Sequence, residues 1–306
     1  MLTNNKAVVS GRLVEFYDFL SQSLEYGAGR VSRKPIGGTY WENGHEYGAF
    51  EEDGKLQARE IKHKPITEET KEEYIERSIR RASTQMKRLI SSNHERHLED
   101  ENTYFTTKFL TLTLADPSFL SLDKTNPLFT DFIRRLNRHI YGNDLEHRKL
   151  LYIAVPERQP DREVIHYHVL LFNMPFIAQK TIQDIWESGL EEVIATPTNP
   201  KGIKGIVDIR VKRSWKICFY LTKYLTKNFH DPTLAGKRKY FPSLKLLRPE
   251  NIYTESTVLE MQKSIPPEYL QQTKEFYSTY CGNVKYSSFL VPDSFTLYKE
   301  TDISGF

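Results

Sequence analysis

Hydrophobic and polar residues follow one another along this chain in two different periods, which predict helices in some stretches and strands in others. Residues 67–93 carry apolar side chains every three to four positions, a spacing typical of an amphipathic helix. This apolar stripe consists of Ile75, Ile79, Ala82, Met86, Leu89 and Ile90. The same period predicts further helices at residues 126–141, 177–189 and 214–228.

A period of two predicts strands between these helices. In residues 108–114, Phe109, Thr111 and Thr113 lie on one face and three leucines lie on the other. The other strands predicted are at residues 150–155, 164–172 and 205–212, the first two of them joined as a hairpin. This order of elements is typical of an α+β fold. We expect an antiparallel sheet covered by helices on one face, with the other face left free for a site.

The two ends of the chain are less regular than the middle. Residues 7–17 indicate short strand or helix pieces, and a helix is predicted around residues 267–280, ahead of an aromatic tail. The contrast divides the chain into an N-terminal accessory region with a basic amphipathic helix (residues 1–100), a core (101–235) and a C-terminal extension (236–306).

Composition excludes several classes of protein. The 306 residues contain only two cysteines, Cys218 and Cys281, which excludes a disulfide scaffold and favours a reducing compartment. No apolar run reaches the length of a membrane span, and the N-terminus lacks the pattern of a signal peptide. We therefore expect a cytoplasmic protein with no membrane partner.

Positive charge is concentrated in one part of the sequence. Between Lys201 and Glu250 there are thirteen Lys and Arg against three acids, although the whole chain carries a net charge of only +3. Aromatic residues are interleaved with these cations, a pattern typical of surfaces that contact phosphates and stack bases. The alternative is a solvated charged face. The residues predicted to bind DNA are Arg210, Lys212, Arg213, Lys216, Lys237, Arg238 and Lys239.

Two histidines of the predicted strand at 164–172 are candidate metal ligands. His166 and His168 point to the same face, roughly 7 Å apart along the backbone. Glu157, at the end of the preceding strand of the hairpin, is the candidate third ligand. Mixed histidine and carboxylate ligation suits Mn²⁺ or Mg²⁺, which would act as a Lewis acid on a phosphate. The alternative is a half-buried strand with two polar side chains in solvent and Glu157 as an ordinary turn residue.

A doubled Tyr-x-x-Lys pattern supplies candidate nucleophiles. Residues four apart share one face of a helix, so Tyr220 and Tyr224 present two phenols one turn apart. Lys223 and Lys227 each follow a tyrosine by three positions. A phenol with an ordinary pKa near ~10 is a poor nucleophile at neutral pH, but a nearby ammonium or a metal-polarised phosphate would lower the barrier. The alternative is a packing helix with buried tyrosines and solvated lysines.

These motifs resemble, in the same order, those of HUH-type rolling-circle replication initiators. The motifs are Phe-Leu-Thr-Leu-Thr at 109–113, the His-x-His strand and the tyrosine helix, whose doubled form resembles the two-tyrosine type of single-stranded DNA phages and some plasmids and prophages. The resemblance covers residues 75–250. It implies an RRM/ferredoxin-like core that acts as a site-specific endonuclease and strand transferase on single-stranded or origin DNA, with Mg²⁺ or Mn²⁺ as cofactor.

The resemblance also implies a mechanism. One tyrosine would attack the scissile phosphate, form a 5′-phosphotyrosyl link and release a 3′-OH for a host polymerase, and the second would close the cycle. No G-x-x-x-x-G-K-[S/T] motif is present, so unwinding is expected to fall to a host helicase. The sequence leaves open which tyrosine acts first.

Two other functions compete with this interpretation. The first is an HUH transposase, which the doubled tyrosine does not exclude. The second is a non-catalytic RRM-like nucleic-acid-binding protein, which would need exposed aromatic residues on its sheet strands. The predicted strands offer Thr111, Thr113, His166 and His168 at those positions instead.

Overall fold

The computed structural model of the chain describes residues 5–19, 39–42, 45–52, 55–60, 68–114, 121–142, 149–158, 165–194, 205–211, 216, 220–223, 239–278, 282–293 and 295. The strands are β1 (Asn5–Ser10), β2 (Leu13–Phe19), β3 (Thr39–Glu42), β4 (His45–Glu52), β5 (Lys55–Glu60), β6 (Lys108–Leu114), β7 (Tyr152–Arg158), β8 (Ile165–Leu171), β9 (Gly205–Val211), β10 (Phe241–Pro242), β11 (Glu250–Ile252), β12 (Leu270–Ser278) and β13 (Gly282–Leu290). The helices are α1 (Glu68–Asn93), α2 (Leu122–Tyr141), α3 (Gln179–Ile194) and α4 (Glu255–Ser264).

The central sheet has the strand order β10-β7-β8-β6-β9, and all neighbouring strands are antiparallel. One of its faces packs against α2 and α3. The three leucines of β6 and the side chains of Tyr167, Val169 and Leu171 on β8 are buried there with Phe132 of α2 and Trp186 of α3. The predicted alternation in β6 and the predicted α+β fold are therefore confirmed.

The second face of the central sheet is only partly free, which corrects the prediction of one uncovered face. Met86, Leu89 and Ile90 from the end of α1 pack against Phe109 and Leu170 of this face. The apolar stripe of α1 is thus buried on the sheet, because a helix with such a stripe must cover it against another element. What remains open is the part of the face beyond Phe109.

Helix α2 begins one turn earlier than residue 126, where the sequence pattern placed its start. The side chain of Ser121 accepts a hydrogen bond from the backbone N–H of Asp123 at 3.2 Å and caps the helix. Pro127 then lies inside the helix, at the loss of one backbone hydrogen bond. The helix ends at Gly142, whose backbone N–H donates to Arg138.

A second five-stranded sheet has the order β11-β1-β2-β13-β12 and joins strands from both ends of the sequence. Helix α4 covers one of its faces, where Val258 and Met261 are buried with Phe16. The helix predicted around residues 267–280 is wrong: a 3-10 turn at Pro267–Tyr269 leads directly into strand β12. The division of the chain at residues 100 and 235 stays a prediction.

Strands β3, β4 and β5 form a separate three-stranded antiparallel sheet. Among the described residues, no helix combines the length and the apolar character needed to span a membrane.

The turn between β1 and β2 approaches the end of α1 closely. Gly11 has a positive φ of 58°, and a Cβ atom at this position would lie 2.3 Å from the backbone oxygen of Ser91. The hydroxyl of Ser91 in turn donates to the backbone oxygen of Ser10 at 2.6 Å. Only glycine combines this backbone conformation with so close a contact.

Replacing Gly11 by Ala is therefore expected to destabilise the protein by more than about 2 kcal/mol, because a positive φ alone costs about 1–2 kcal/mol and the clash adds to it. Urea unfolding followed by circular dichroism measures the loss. Gly142→Ala is the matched control, since Gly142 has a φ of 59° but open space around the added Cβ. Equal losses in the two variants would contradict the close contact at Ser91.

Candidate active site

The register of the central sheet places polar residues in rows on the face opposite α2 and α3. Residues that pair directly across antiparallel strands point to the same face. Strand β8 lies between β7 and β6, and β6 also pairs with β9. Two rows result: Ile206, Thr113, His166 and Glu157 in one, and Asp208, Thr111, His168 and Val155 in the other.

His168 is held by hydrogen bonds at both ring nitrogens. Its Nε2 lies 2.7 Å from Glu157 Oε2, and its Nδ1 lies 3.3 Å from Thr111 Oγ1. His168 is 6% exposed and Glu157 is 7% exposed. Because a carboxylate only accepts, a neutral His168 carries its proton on Nε2, and Nδ1 then accepts from the Thr111 hydroxyl. The two neighbouring strands thus set the tautomer and orientation of this ring.

His166 follows the same pattern one row away. Its Nδ1 lies 3.2 Å from Thr113 Oγ1, and its ring centroid is 6.3 Å from that of His168, with 26° between the ring planes. Both imidazoles are therefore oriented by a threonine of β6. Their alignment comes from the strand period, which repeats the same environment two residues later.

The residue types at this site fit a divalent metal, although the described residues do not gather three donors around one point. No group of three or more His, Cys, Asp or Glu side chains in the described ranges is close enough to enclose a metal ion. The 2.7 Å contact of Glu157 with His168 nevertheless approaches the separation of adjacent ligands on an octahedral ion, about 3 Å. His166 lies next to this pair on the same face.

The ring of Phe109 connects His168 to Tyr220. Phe109 stacks on His168 with 5.7 Å between the centroids, and Tyr220 meets the same phenyl ring edge-on at 5.3 Å. Phe109 is 5% exposed, whereas Tyr220 is 38% exposed. The sheet face therefore supports the tyrosine ring next to the histidines and leaves part of it open to solvent.

A short helical segment at residues 220–223 positions Tyr220. Leu221 is fully buried with Phe109 in the apolar cluster under α1, and Thr222 is also buried. Tyr220 and Lys223 point outward instead and are both exposed. Tyr224 and Lys227, the second pair of the doubled motif, lie outside the described residues.

The described basic residues are spread around this face. Arg210 on β9 pairs across the strands with Phe109 and forms a 3.0 Å ion pair with Asp208. An exposed pair of this kind is worth about 0–1 kcal/mol, so a phosphate can displace the carboxylate at small cost. Lys216 is exposed and Lys239 is half-buried. The other residues predicted to bind DNA, Lys212, Arg213, Lys237 and Arg238, lie outside the described residues.

Three features of the site were not assigned a role from the sequence. Thr111 and Thr113 orient the two imidazoles, Phe109 spaces His168 from Tyr220, and Asp208 adds a carboxylate to the row of His168. The alternation of β6 placed the first three on one face. The neighbours they meet depend on pairing between strands far apart in sequence, which no local pattern reports.

Comparison with known proteins gives one match. The model of a family of replication-associated proteins, the ORF2 type, matches residues 107–229 of the chain's 306, which include β6, β8 and Tyr220. The match supports relationship to a family of rolling-circle replication initiators, and with it a role in DNA replication and an interaction with DNA. No curated protein and no solved structure matches the chain significantly.

Proposed function

We propose that this protein is an HUH endonuclease of the two-tyrosine type, which starts rolling-circle replication by cutting and rejoining single-stranded DNA at a specific origin. The observation that carries the proposal is the continuous set of contacts from Glu157 through His168 and Phe109 to Tyr220. A candidate metal-ligand pair and a candidate nucleophile thus lie on one face of one sheet. The family match over residues 107–229 covers this same part of the chain.

Tyr220 is the proposed nucleophile for the first cut. Its phenol oxygen forms a bond to the scissile phosphorus while the bond from phosphorus to the 3′ oxygen breaks. The phenol proton is released, and the departing 3′ oxygen takes up a proton to become a 3′-OH. The phosphate stays on the 5′ end of the DNA as a phosphotyrosyl ester. This ester keeps the energy of the broken bond, so rejoining needs no ATP.

Lys223 is proposed to assist this step. It follows Tyr220 by three residues on the helical segment and is exposed. Side chains at this spacing lie on neighbouring parts of a helix surface, so its ammonium stands beside the phenol and the incoming phosphate. A positive charge there stabilises both a phenolate and the charge that develops on the phosphate.

His166, His168 and Glu157 are proposed to hold Mg²⁺ or Mn²⁺. When bound, such an ion acts as a Lewis acid on a phosphate oxygen. The threonine contacts of the two histidines are the kind of outer contact that fixes imidazole ligands in metal sites. Arg210 and Lys216, together with the basic residues outside the described ranges, are proposed to bind the DNA backbone.

Tyr224 and Lys227 are proposed to carry out the second cut and strand transfer. A host helicase and polymerase are the proposed partners, since the sequence contains no phosphate-binding loop of a motor. The binding-only alternative is disfavoured by the central strands β6 and β8. Their two aromatic side chains, Phe109 and Tyr167, are 5% and 0% exposed and offer no stacking platform for bases.

Circular single-stranded DNA carrying a randomised insert tests the proposal even though the origin sequence is not known. The protein is incubated with this pool and Mn²⁺ or Mg²⁺, with EDTA in a parallel reaction. We expect metal-dependent linear DNA on a denaturing gel and a nucleotide adduct on Tyr220 by peptide mass mapping. DNA binding without any cleavage or adduct across the pool would overturn the nuclease and leave a binding protein.

A further inference from the structure

A polar cleft lies between α1 and the second sheet, outside the candidate active site. Its volume is about 480 Å³, within the range of small-molecule sites. Lys87 and Arg88 of α1 line one side, and the sheet lines the other. The sheet residues that matter here are Glu15 of β2, Tyr286 of β13, and Gln272 and Lys274 of β12.

A buried ion pair forms the floor of this cleft. Arg88 Nε lies 2.6 Å from Glu15 Oε2, and the guanidinium also donates to the hydroxyl of Tyr17 at 2.6 Å. Burial lowers the pKa of Arg88, but the hydrogen bond and charge of Glu15 outweigh it and raise the pKa overall. Tyr286 donates to the other oxygen of Glu15 at 2.9 Å. The carboxylate is thus fully engaged in holding Arg88 and Tyr286 in place.

Burial, followed by the charge of Glu15, raises the pKa of Tyr17 to about 12 and also raises the pKa of Tyr286. Both phenols are therefore neutral donors at physiological pH. They supply no negative charge to the cleft, where three cations stand against the single carboxylate of Glu15.

The mouth of the cleft carries cations beside an aromatic ring and an amide. Lys274 pairs across the strands with Tyr286, and its Nζ lies 4.9 Å from the centre of that ring. Gln272 is two residues away on the same face, opposite Ser288. Lys87 faces them from α1. Cations recognise phosphate, and an amide offers both a donor and an acceptor to the edge of a base.

We propose that this cleft binds one nucleotide of single-stranded DNA, with its phosphate at Lys87 and Lys274 and its base edge at Gln272. The choice of DNA as the ligand rests on the proposed function. Helix α1 connects the two sites, because Met86 and Leu89 pack on the central sheet while Lys87 and Arg88, on the same turn, line the cleft. DNA held in the cleft is therefore held at a fixed position relative to the central sheet.

The test compares Lys274→Gln with Lys285→Gln in the full chain. Lys285 is exposed on the opposite face of the same hairpin, so both variants lose one charge from the same element. Binding of a fluorescent 20-nucleotide single strand is measured by anisotropy over a range of salt concentrations. Lys274→Gln is expected to bind about 5- to 10-fold more weakly at low salt. Its dependence of log Kd on log salt is expected to fall by about 0.7, the value for one phosphate contact.

Gln272→Ala separates the proposed base contact from the phosphate contact. It is expected to weaken binding while the salt dependence stays unchanged, because no charge is removed. Equal affinities and slopes for Lys274→Gln, Lys285→Gln and the unmodified protein, with equal melting temperatures, would overturn the cleft as a DNA site. Cleavage by a protein whose Lys274→Gln variant binds normally sinks the cleft alone. A specific loss in Lys274→Gln without any cleavage by the unmodified protein sinks the nuclease alone.

Discussion

Replacing Tyr220 by Phe is expected to abolish the first cut of single-stranded DNA, with a rate at least about 10³-fold below that of the unmodified protein. Phenylalanine keeps the ring that contacts Phe109 but has no oxygen to attack phosphorus. Tyr220 is also 38% exposed, so the free energy of unfolding should change by less than about 0.5 kcal/mol. Single-turnover cleavage on a denaturing gel, beside anisotropy for DNA binding, measures both effects.

Tyr224→Phe is the matched control for this experiment. It removes the same hydroxyl from the second Tyr-x-x-Lys unit, one helical turn further along the predicted helix. We expect it to keep the first cut and the adduct on Tyr220 but to lose the strand transfer that completes a cycle. A Tyr220→Phe protein that cuts at the normal rate and carries its adduct on Tyr224 would reverse the proposed order of the two tyrosines.

His168→Ala is expected to eliminate metal-dependent cleavage. Loss of an outer contact to a metal-bound histidine typically costs 10- to 100-fold in metal affinity, so the loss of a ligand should lower Mn²⁺ affinity by at least about 10-fold. The variant also removes the partner of a buried carboxylate at Glu157, which should lower the free energy of unfolding by about 1–3 kcal/mol. Titration calorimetry with Mn²⁺ and urea unfolding measure these two quantities.

His139→Ala provides the comparison, because His139 is an exposed histidine on α2, on the far side of the central sheet. It should bind Mn²⁺ and cut DNA like the unmodified protein. If His168→Ala bound Mn²⁺ normally but still failed to cut, the histidine would serve the reaction in another way than as a metal ligand, and the proposed ligand set would be wrong.

Much of the central sheet and its site could be predicted from local patterns. The period of two in β6 and β8 placed Thr111, Thr113, His166 and His168 correctly, since a strand has only two faces and one of them was plainly apolar. The hairpin from β7 to β8 also placed Glu157 near the histidines, because short connections join antiparallel neighbours. These inferences needed only residues close in sequence.

The second sheet could not be predicted in this way. Strand β12 contains Gln271, Gln272, Lys274 and Glu275, which favour a helix by intrinsic propensity. It is nevertheless a strand, because its backbone pairs with β13 and its side chains meet those of Tyr286 and Val284. Tertiary pairing overrides weak local preference. For the same reason the sequence did not reveal that α1 would cover part of the site face.

The long separation between the strands of the second sheet sets an order of events during synthesis. Arg88 follows Glu15 by 73 residues, whereas Tyr286 follows it by 271 residues. At about 5–20 residues per second, these partners emerge roughly 4–15 and 14–54 seconds after Glu15. The arginine of α1 thus neutralises the carboxylate early, the strands of the central sheet follow, and β13 arrives late to insert between β2 and β12. A growing chain would possess its cutting surface before it possessed the cleft.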